Sequence, residues 1–184
     1  MIIGVIGKKS SGKTTFTNEI CQHLPSFEEI AFATPLKNIC KELFSLSDEQ
    51  LHDPFLKEEI DIRWNLSPRQ LFQKVGTELF RNCYDRDIWI KIAKEKMRTI
   101  NPSKNIIFSD IRQENELNFV KSFGNSETVI IVEIQRDLSS KRLDHHETEN
   151  FNLQCPEKIV LTNNGSLEDF KSKIENELII NIKN

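Results

Sequence analysis

The strongest constraint on the fold of this chain is the apolar run MIIGVI, which is followed directly by GKKSSGKT at residues 7–14. The second segment fits the pattern G-x-x-x-x-G-K-[S/T] at every fixed position. The apolar run indicates a short buried strand that Gly7 ends. A helix is predicted from Lys13 to about His23, before Pro25. A strand, a glycine-containing loop and a helix in this order are typical of a phosphate-binding P-loop.

Each fixed position of the loop has a chemical role. Gly7 and Gly12 let the backbone curl so that its N–H groups point at phosphate oxygens, and the following helix adds the positive end of its dipole. In such loops the lysine, here Lys13, reaches the β- and γ-phosphates, and the hydroxyl of Thr14 ligates Mg²⁺. The sequence therefore predicts a site for ATP and Mg²⁺.

The rest of the chain alternates strands with helices, which predicts a parallel sheet with right-handed crossovers. The predicted strands are IIGVI, EEIAFA, NIIFSD, TVIIVEIQR and KIVLTNNG. The fold class is thus α/β, a P-loop NTPase three-layer α/β/α sandwich with a central five-stranded parallel sheet. Ligands in such folds bind at the carboxyl ends of the strands. The polar residues expected just past these ends are Gly7, Thr34, Asp110, Arg136 and Asn163.

Helices are predicted for PLKNICKELF, for PRQLFQKVGTELFRN with Ser67 as its cap, for residues 87–97 and 114–121, and for SLEDFKSKIENELII with Ser166 as its cap. The acidic stretch between the first two, SDEQLHD to LKEEIDIRW, is expected to be exposed. No repeat or Pro/Gly-rich linker divides the 184 residues, so a single domain is expected.

Composition narrows the function. With 38% hydrophobic residues, 29% charged residues and a net charge of −3, the chain is not expected to coat nucleic acid or to bind an anionic membrane. The four cysteines lie far apart without a CxxC pair, and neither a signal peptide nor a membrane-length apolar run is evident. We expect a cytoplasmic protein with reduced thiols.

Three uses of a bound triphosphate remain: hydrolysis, sensing and transfer. The chain has no N-K-x-D guanine-reading motif, and Asp110 is not followed by the Glu of a typical ATPase. Arg112 can clamp a phosphate and neutralise charge during transfer. Gln73, Thr77 and Arg81 are four residues apart, so on an α-helix they share one face that either binds a phosphorylated acceptor or is simply solvated. Arg136 and Arg142 flank a polar stretch, about 136–150, that is predicted to act as a lid.

Several segments together resemble the deoxynucleoside monophosphate kinases of bacteriophages and large DNA viruses. They are FATPLKNICKELF, LSPRQLFQKVGTELFRNCYDRDIWI, FSDIRQENELNFV, DHHETE and TNNGSLEDF, and they cover nearly the whole chain. The most specific parts are P-R-Q-L-x-Q-x-x-G-T-E and D-x-R-x-x-N-E, because unrelated families share the phosphate loop. Phage members commonly read D-x-R-F-P-N-E, whereas Arg112 here is followed by Gln113 and Glu114.

The resemblance implies a role for each matching residue. In the nucleoside monophosphate kinase fold that it implies, residues 34–98 form the acceptor-binding region. It implies that ATP is held by Gly7, Lys9, Ser10, Ser11, Gly12, Lys13, Thr14, Thr15 and Asn164. It implies that the acceptor is bound by Lys37, Arg69, Gln73, Thr77, Arg81, Trp89 and Arg142. The catalytic residues it implies are Lys13, Asp110, Arg112 and Arg136, with Thr14 and Asp110 at the metal. Asp144, His146 and Glu149 match a motif that follows the lid, and Trp89 is either a stacking surface or a core side chain.

We therefore expect a kinase that transfers the γ-phosphoryl group of ATP to a deoxynucleoside monophosphate, for DNA precursor synthesis. The resemblance further implies a homodimer. The preferred base and the selectivity for deoxyribose stay open. Two alternatives remain: a kinase of another small phosphorylated acceptor, such as phosphomevalonate, and an ATP-binding regulatory module without acceptor-dependent turnover.

Overall fold

The computed structural model describes residues 1–137 and 153–183 and divides the chain into two compact units. The first unit contains Met1–Ala31 and Lys96–Asn184, and the second contains Phe32–Glu95. The second unit covers nearly the same residues as the region 34–98, whose assignment to the acceptor stays a prediction. Arg142, Asp144, His146, Glu149 and all but the first residues of the predicted lid lie outside the described residues.

The first unit is built on a parallel sheet. Its strands are β1 (Ile2–Ile6), β2 (Phe27–Ile30), β3 (Asn105–Ile111), β4 (Val129–Gln135) and β5 (Ile159–Thr162). Their order across the sheet is β2-β3-β1-β4-β5, and every neighbouring pair is parallel. The predicted α/β class and five-stranded parallel sheet are confirmed.

The helices lie between and after these strands. In chain order they are α1 (Lys13–His23), α2 (Ala33–Phe44), α3 (Asp48–His52), α4 (Pro68–Gln73), α5 (Ile88–Thr99), α6 (Glu114–Lys121), α7 (Leu167–Ile174) and α8 (Ile180–Lys183). Two segments form wide π-type turns, Lys74–Tyr84 after α4 and Glu175–Ile179 between α7 and α8, and Ser122–Asn125 forms a 3₁₀ turn.

The core of the first unit explains the apolar pattern of its strands. All five residues of β1 are buried, as expected for the central strand of a parallel sheet that is covered on both faces. Phe16 and Ile20 of α1 pack with Phe170 and Ile174 of α7 in the same apolar cluster. An ion pair of 3.0 Å from Lys171 Nζ to Glu19 Oε1 links the two helices, and this carboxylate raises the pKa of Lys171.

The second strand is shorter than predicted. The sequence predicts a strand over residues 28–33, but β2 ends at Ile30 and α2 begins at Ala33. Pro35 has no N–H to donate and is therefore tolerated in the first turn of a helix. Because α2 begins at Ala33, Pro35 lies in that first turn. Thr34 consequently lies in the first turn of α2 and not directly after a strand.

The second unit has a small core of its own, which contains Cys40, Leu46, Leu51, Leu71 and Val75. Ser47 and Ser67 each form a reciprocal capping box at the start of α3 and α4. The capping role of Ser67 matches the prediction.

Most of the acidic stretch of the second unit is exposed, as predicted, but two of its residues are buried. Leu51 is 2% exposed and Asp61 is 9% exposed. The Asp61 carboxylate accepts hydrogen bonds from Gln50 Nε2 at 3.1 Å and from Arg63 Nε at 2.9 Å. Arg63 Nη1 in turn donates to the carbonyl of Ser45 at 3.2 Å. Asp61 therefore joins three parts of the stretch that follows α2.

Among the described residues, no helix combines the length and the apolar character that a membrane span requires.

Candidate active site

The strand register brings the phosphate loop and the D-x-R segment to the same edge of the sheet. Ile6, the last residue of β1, pairs with Ile111 of β3. Gly7 therefore leaves the sheet beside the point where Arg112 leaves it. On the other side of β1, the strands β4 and β5 end at Gln135 and Thr162, so Arg136 and Asn163 follow at the same edge. In the first unit the structure thus brings together the candidates that the sequence separates widely.

Both glycines of the phosphate loop occupy positions where a side chain would collide. A Cβ atom at Gly7 would lie 2.6 Å from Ser11 Oγ and 2.8 Å from the carbonyl oxygen of Ile134. Gly12 has a φ of 113°, and a Cβ atom there would lie 2.5 Å from Asn163 Nδ2. Ser10 is also left-handed, with a φ of 60°. The loop curls as the motif predicts, and its two glycines are required for steric reasons.

The N-terminus of α1 has no side-chain cap. Gly12 is its cap residue and provides no side-chain hydrogen bond, and its first turn carries no acidic residue. The helices α3, α6 and α7 each have a capping box and acidic residues in the first turn. The positive end of α1 is therefore not neutralised by its own residues, which suits an anionic ligand.

The amine of Lys13 binds carbonyl groups of its own loop. Lys13 Nζ donates to the carbonyl of Gly7 at 2.6 Å and to that of Lys8 at 2.8 Å. Ser11 Oγ is buried and has no hydrogen-bond partner among the described residues. Lys9 and Thr15 are half-buried, whereas Ser10 and Thr14 are exposed. The amine of Lys13 thus lies over the loop, at the position where the motif places phosphate oxygens.

The D-x-R segment leaves the sheet through an irregularity. Between the pairs Gly4–Phe108 and Ile6–Ile111, one residue of β1 lies opposite two residues of β3, Ser109 and Asp110. The extra residue is a bulge, which changes the alternation of the strand and re-aims the side chains beside it. Asp110 is half-exposed between the buried Ser109 and Ile111. The irregularity therefore lies at Asp110, the half-exposed residue near the end of the strand.

A buried carboxylate holds the backbone after this bulge. Glu116 of α6 is 4% exposed, and its Oε2 atom accepts N–H bonds from Arg112 at 2.8 Å and from Gln113 at 3.1 Å. Gln113 caps α6 in a capping box with Glu116. This glutamate is the last residue of D-x-R-x-x-N-E. It fixes the main chain at Arg112 through two backbone hydrogen bonds.

Two consecutive asparagines after β5 connect the end of this strand to the segment after β4 and to the phosphate loop. Asn164 Oδ1 accepts the backbone N–H of Asp137 at 2.8 Å, next to the exposed Arg136. Asn163 is 7% exposed, and its Nδ2 atom donates to the carbonyl of Ser11 at 2.7 Å. Asn164, named for ATP binding, is thereby placed at the base of the predicted lid.

The acceptor candidates all lie in the second unit, except Arg142. Lys37 is half-buried on α2. Arg69 of α4 is 17% exposed, and its Nε atom donates to Glu58 Oε1 at 2.6 Å. Gln73 is the last residue of α4, and Thr77 and Arg81 lie in the wide segment Lys74–Tyr84. The basic groups needed to hold a phosphate are therefore present in this unit.

The shared face of Gln73, Thr77 and Arg81 was predicted for regular α-helical geometry, and it stays a prediction for the segment that is observed. From Lys74 the turns are π-type, with i→i+5 hydrogen bonds, so each residue is rotated less around the axis than on an α-helix. Thr77 is 7% exposed, whereas Gln73 and Arg81 are half-buried. Wide turns of this kind occur frequently at functional sites.

Trp89 supports the wide segment from within. Its indole Nε1 donates to the carbonyl of Gly76 at 3.2 Å, and its ring centroid lies 5.5 Å from that of Phe80. At 5% exposed, it is a core side chain and does not form an open stacking surface in this structure.

Of the residues that hold the site together, Glu116 was not singled out from the sequence, and Asn163 was named only as a residue that follows a strand. Glu116 and the Asn163 side chain act on backbone groups that other motifs supply. For Glu116 the signal was its place in D-x-R-x-x-N-E, and for Asn163 it was its position directly after a strand.

An all-parallel sheet in the order 2-3-1-4-5, with the phosphate loop after its central strand, defines a P-loop protein of the kinase type. Similar sequences indicate which family of P-loop kinases this is. The sequence pattern of the family "Deoxynucleotide monophosphate kinase" matches residues 49–174. A protein of Acanthamoeba polyphaga mimivirus, described as a candidate deoxynucleotide monophosphate kinase, is 35% identical over 95% of this chain and 94% of its own length. The chain belongs to the deoxynucleotide monophosphate kinase family.

Phage relatives are longer. The deoxynucleotide monophosphate kinase of Enterobacteria phage T4 is 32% identical over 65% of this chain, but that match covers 47% of the phage protein. The one of Escherichia phage RB69 is 32% identical over 63% of the chain and 46% of its own length. The chain thus aligns with about half of each phage protein.

Solved structures agree on the fold. A protein from Thermus thermophilus has a TM-score of 0.50 at 17% identity, covering 98% of this chain and 97% of that protein. A candidate kinase from Chloroflexus aurantiacus has a TM-score of 0.51 at 12% identity, covering 97% of this chain and 96% of that protein. At this identity the likeness concerns the fold alone.

Proposed function

We propose that this chain transfers the γ-phosphoryl group of ATP to the 5′-phosphate of a deoxynucleoside monophosphate and releases ADP and a deoxynucleoside diphosphate. The observation that carries the proposal is the uncapped N-terminus of α1 behind its glycine loop, beside Asp110 and Arg112 at one sheet edge. Family membership supports the acceptor, because the relatives are named for that reaction.

The residues of the loop fit a triphosphate and its metal ion. Ser11 Oγ is a buried donor without a partner among the described residues, and a Cβ at Gly7 would lie 2.6 Å from this oxygen. Phosphate oxygens would accept from the loop N–H groups and from Lys13 Nζ, which now binds loop carbonyls. Mg²⁺ in kinases is held by few protein oxygens together with substrate phosphates, and Thr14 and Asp110 would supply those oxygens.

Transfer of a phosphoryl group to another phosphate needs no covalent enzyme intermediate. An oxygen of the acceptor phosphate forms a bond to the γ-phosphorus as the bond from that phosphorus to the β–γ bridging oxygen breaks. The acceptor is already anionic at neutral pH, so catalysis consists of alignment, charge neutralisation and exclusion of water. Lys13 and Arg112 would neutralise the developing charge, and Arg136 would add a cation at the base of the lid.

The acceptor would be bound by residues of the second unit. Its basic candidates are Lys37, Arg69 and Arg81, and its polar candidates are Gln73 and Thr77. Arg142 is a further candidate from the lid region. A homodimer and a cytoplasmic location are part of the same proposal. No residue assigns the base.

The proposal is tested by measuring ADP formation with dTMP, dGMP, dCMP, dAMP, AMP and phosphomevalonate in turn, together with a control that lacks an acceptor. We expect turnover only with a deoxynucleotide, with one base preferred. Lys13→Ala serves as the matched control for contaminating kinases, because it removes the loop amine that the reaction requires.

The other outcomes of this assay contradict the proposal in different ways. Turnover with phosphomevalonate alone would assign another acceptor to the same site. ADP release at one rate with every acceptor would indicate hydrolysis. Binding of ATP without turnover would indicate a regulatory module.

A further inference from the structure

The segment that follows β5 contacts the phosphate loop, which lies 152 residues earlier in the chain. The side chain of Asn163, which follows β5, donates from Nδ2 to the carbonyl oxygen of Ser11 at 2.7 Å. Both residues are buried, Asn163 at 7% and Ser11 at 1% exposed. The Asn163 main chain is itself fixed, because its N–H donates to the carbonyl of Gln135 at 2.7 Å. The amide is therefore held by the sheet and reaches into the loop.

The direction of this hydrogen bond has a consequence for the phosphate side of the loop. In a trans peptide the C=O and the following N–H point in opposite directions. When the Ser11 carbonyl points at Asn163, the N–H of Gly12 points away from Asn163. That N–H lies at the start of α1, where the motif holds phosphate. A side chain from β5 thus determines which way a phosphate-facing peptide is turned.

The contact also explains why the second glycine of the loop tolerates no side chain. A Cβ at Gly12 would lie 2.5 Å from Asn163 Nδ2 and 3.1 Å from Phe170 Cε1. The asparagine occupies the space that a side chain at Gly12 would need. An aspartate at position 163 would have nearly the same shape, but its carboxylate would face the Ser11 carbonyl without a proton to donate.

We propose that Asn163 is a positioning residue of the nucleotide site: its amide fixes the peptide between Ser11 and Gly12 and thereby sets the affinity for the ATP phosphates. The inference rests on the proposed function only in naming ATP as the ligand. Asn163 acts through the backbone and does not itself touch the nucleotide.

The test compares Asn163→Asp and Asn163→Ala with Asn118→Ala, an exposed asparagine of α6, as matched control. Calorimetry measures binding of the Mg²⁺ complex of a non-hydrolysable ATP analogue and, separately, binding of the acceptor found in the kinase assay, or of dTMP if none is found. We expect affinity for the analogue to fall about tenfold or more in both Asn163 variants, with Asp the weaker binder, because a buried hydrogen bond is lost. Acceptor affinity and the Asn118 variant should stay at the wild-type level.

Several results would overturn the proposal. Wild-type affinity for the analogue in a folded Asn163→Ala protein would do so, and so would equal losses for analogue and acceptor, which indicate a general structural defect. If neither variant folds, the wild-type protein decides the question. There, the side-chain amide protons of Asn163 should be protected from hydrogen exchange, and exchange at solvent rates would contradict the contact.

This experiment separates the inference from the proposed function. If the wild-type protein binds the analogue but shows no acceptor-dependent turnover, the kinase proposal fails and the role of Asn163 is still decided by binding. If turnover is found and the Asn163 variants bind the analogue normally, only the inference fails.

Discussion

The phosphate loop of the first unit and the wide helical segment of the second unit hold their candidate residues in different ways. The loop is fixed by buried contacts that admit few alternatives, such as the bond from Asn163 to Ser11 and the required glycine at position 12. The wide segment depends on Trp89, which supports Gly76, and it presents half-buried polar groups such as Arg81. Under the proposed function, closely fixed groups suit the constant phosphate chain of ATP, and substrate selectivity can change on the proposed acceptor side.

The largest expected effect tests the rigid side. We expect Lys13→Ala to lower kcat for transfer by at least about 100- to 1,000-fold, because a preorganised cation at the phosphates is lost. Acceptor binding should remain, since the acceptor candidates lie in the other unit. Steady-state kinetics and acceptor calorimetry measure the two. Lys121→Ala, which breaks only an exposed 3.5 Å pair with Glu157, is the control. A folded Lys13→Ala protein with full activity would eliminate the loop as the donor site.

The next effect concerns charge that develops during transfer. We expect Arg112→Ala to reduce kcat by about 100-fold while the affinity for ATP changes little, because the guanidinium acts on the transferred phosphoryl group. Rapid-quench kinetics separates the chemical step from product release. Arg98→Ala, an exposed arginine of α5, is the matched control. An unchanged kcat in the Arg112 variant would remove this residue from the mechanism and leave Glu116 with a structural role only.

The same contrast explains what could be predicted from the sequence. The loop, α1 and α6 were predicted with their observed bounds, because glycine placement and capping are local signals. The turns after Lys74 were not, because i→i+4 and i→i+5 bonding use the same residues and tertiary contacts such as that of Trp89 with Gly76 decide between them. Likewise, the bulge beside Asp110 belongs to the pairing of two strands, and no single strand shows it.

A smaller effect is expected on the acceptor side. Arg69→Ala should raise the KM for the deoxynucleotide about tenfold and leave the KM for ATP unchanged, because a charged hydrogen bond to the acceptor phosphate is lost. The pair with Glu58 offers the control, since Glu58→Gln removes that ion pair and keeps the arginine. If both variants raise the KM equally, Arg69 acts through its pair with Glu58 and does not bind the acceptor.

The smallest effect on activity, and a specific one on stability, is expected from Asp61→Asn. Hydrogen bonds from Arg63, and secondly from Gln50, hold the pKa of the Asp61 carboxyl well below its usual range. A lowered folded-state pKa stabilises the folded protein above the unfolded value of about 3.9, and this contribution is lost as the pH falls further. Asp61→Asn should therefore lower the urea midpoint at pH 7, and the difference from wild type should shrink below about pH 4.

The control for this prediction is Asp48→Asn, at an exposed pair with Lys41, which should change the midpoint less. Equal midpoints for the Asp61 variant and the wild type at pH 7 would show that this network does not stabilise the second unit.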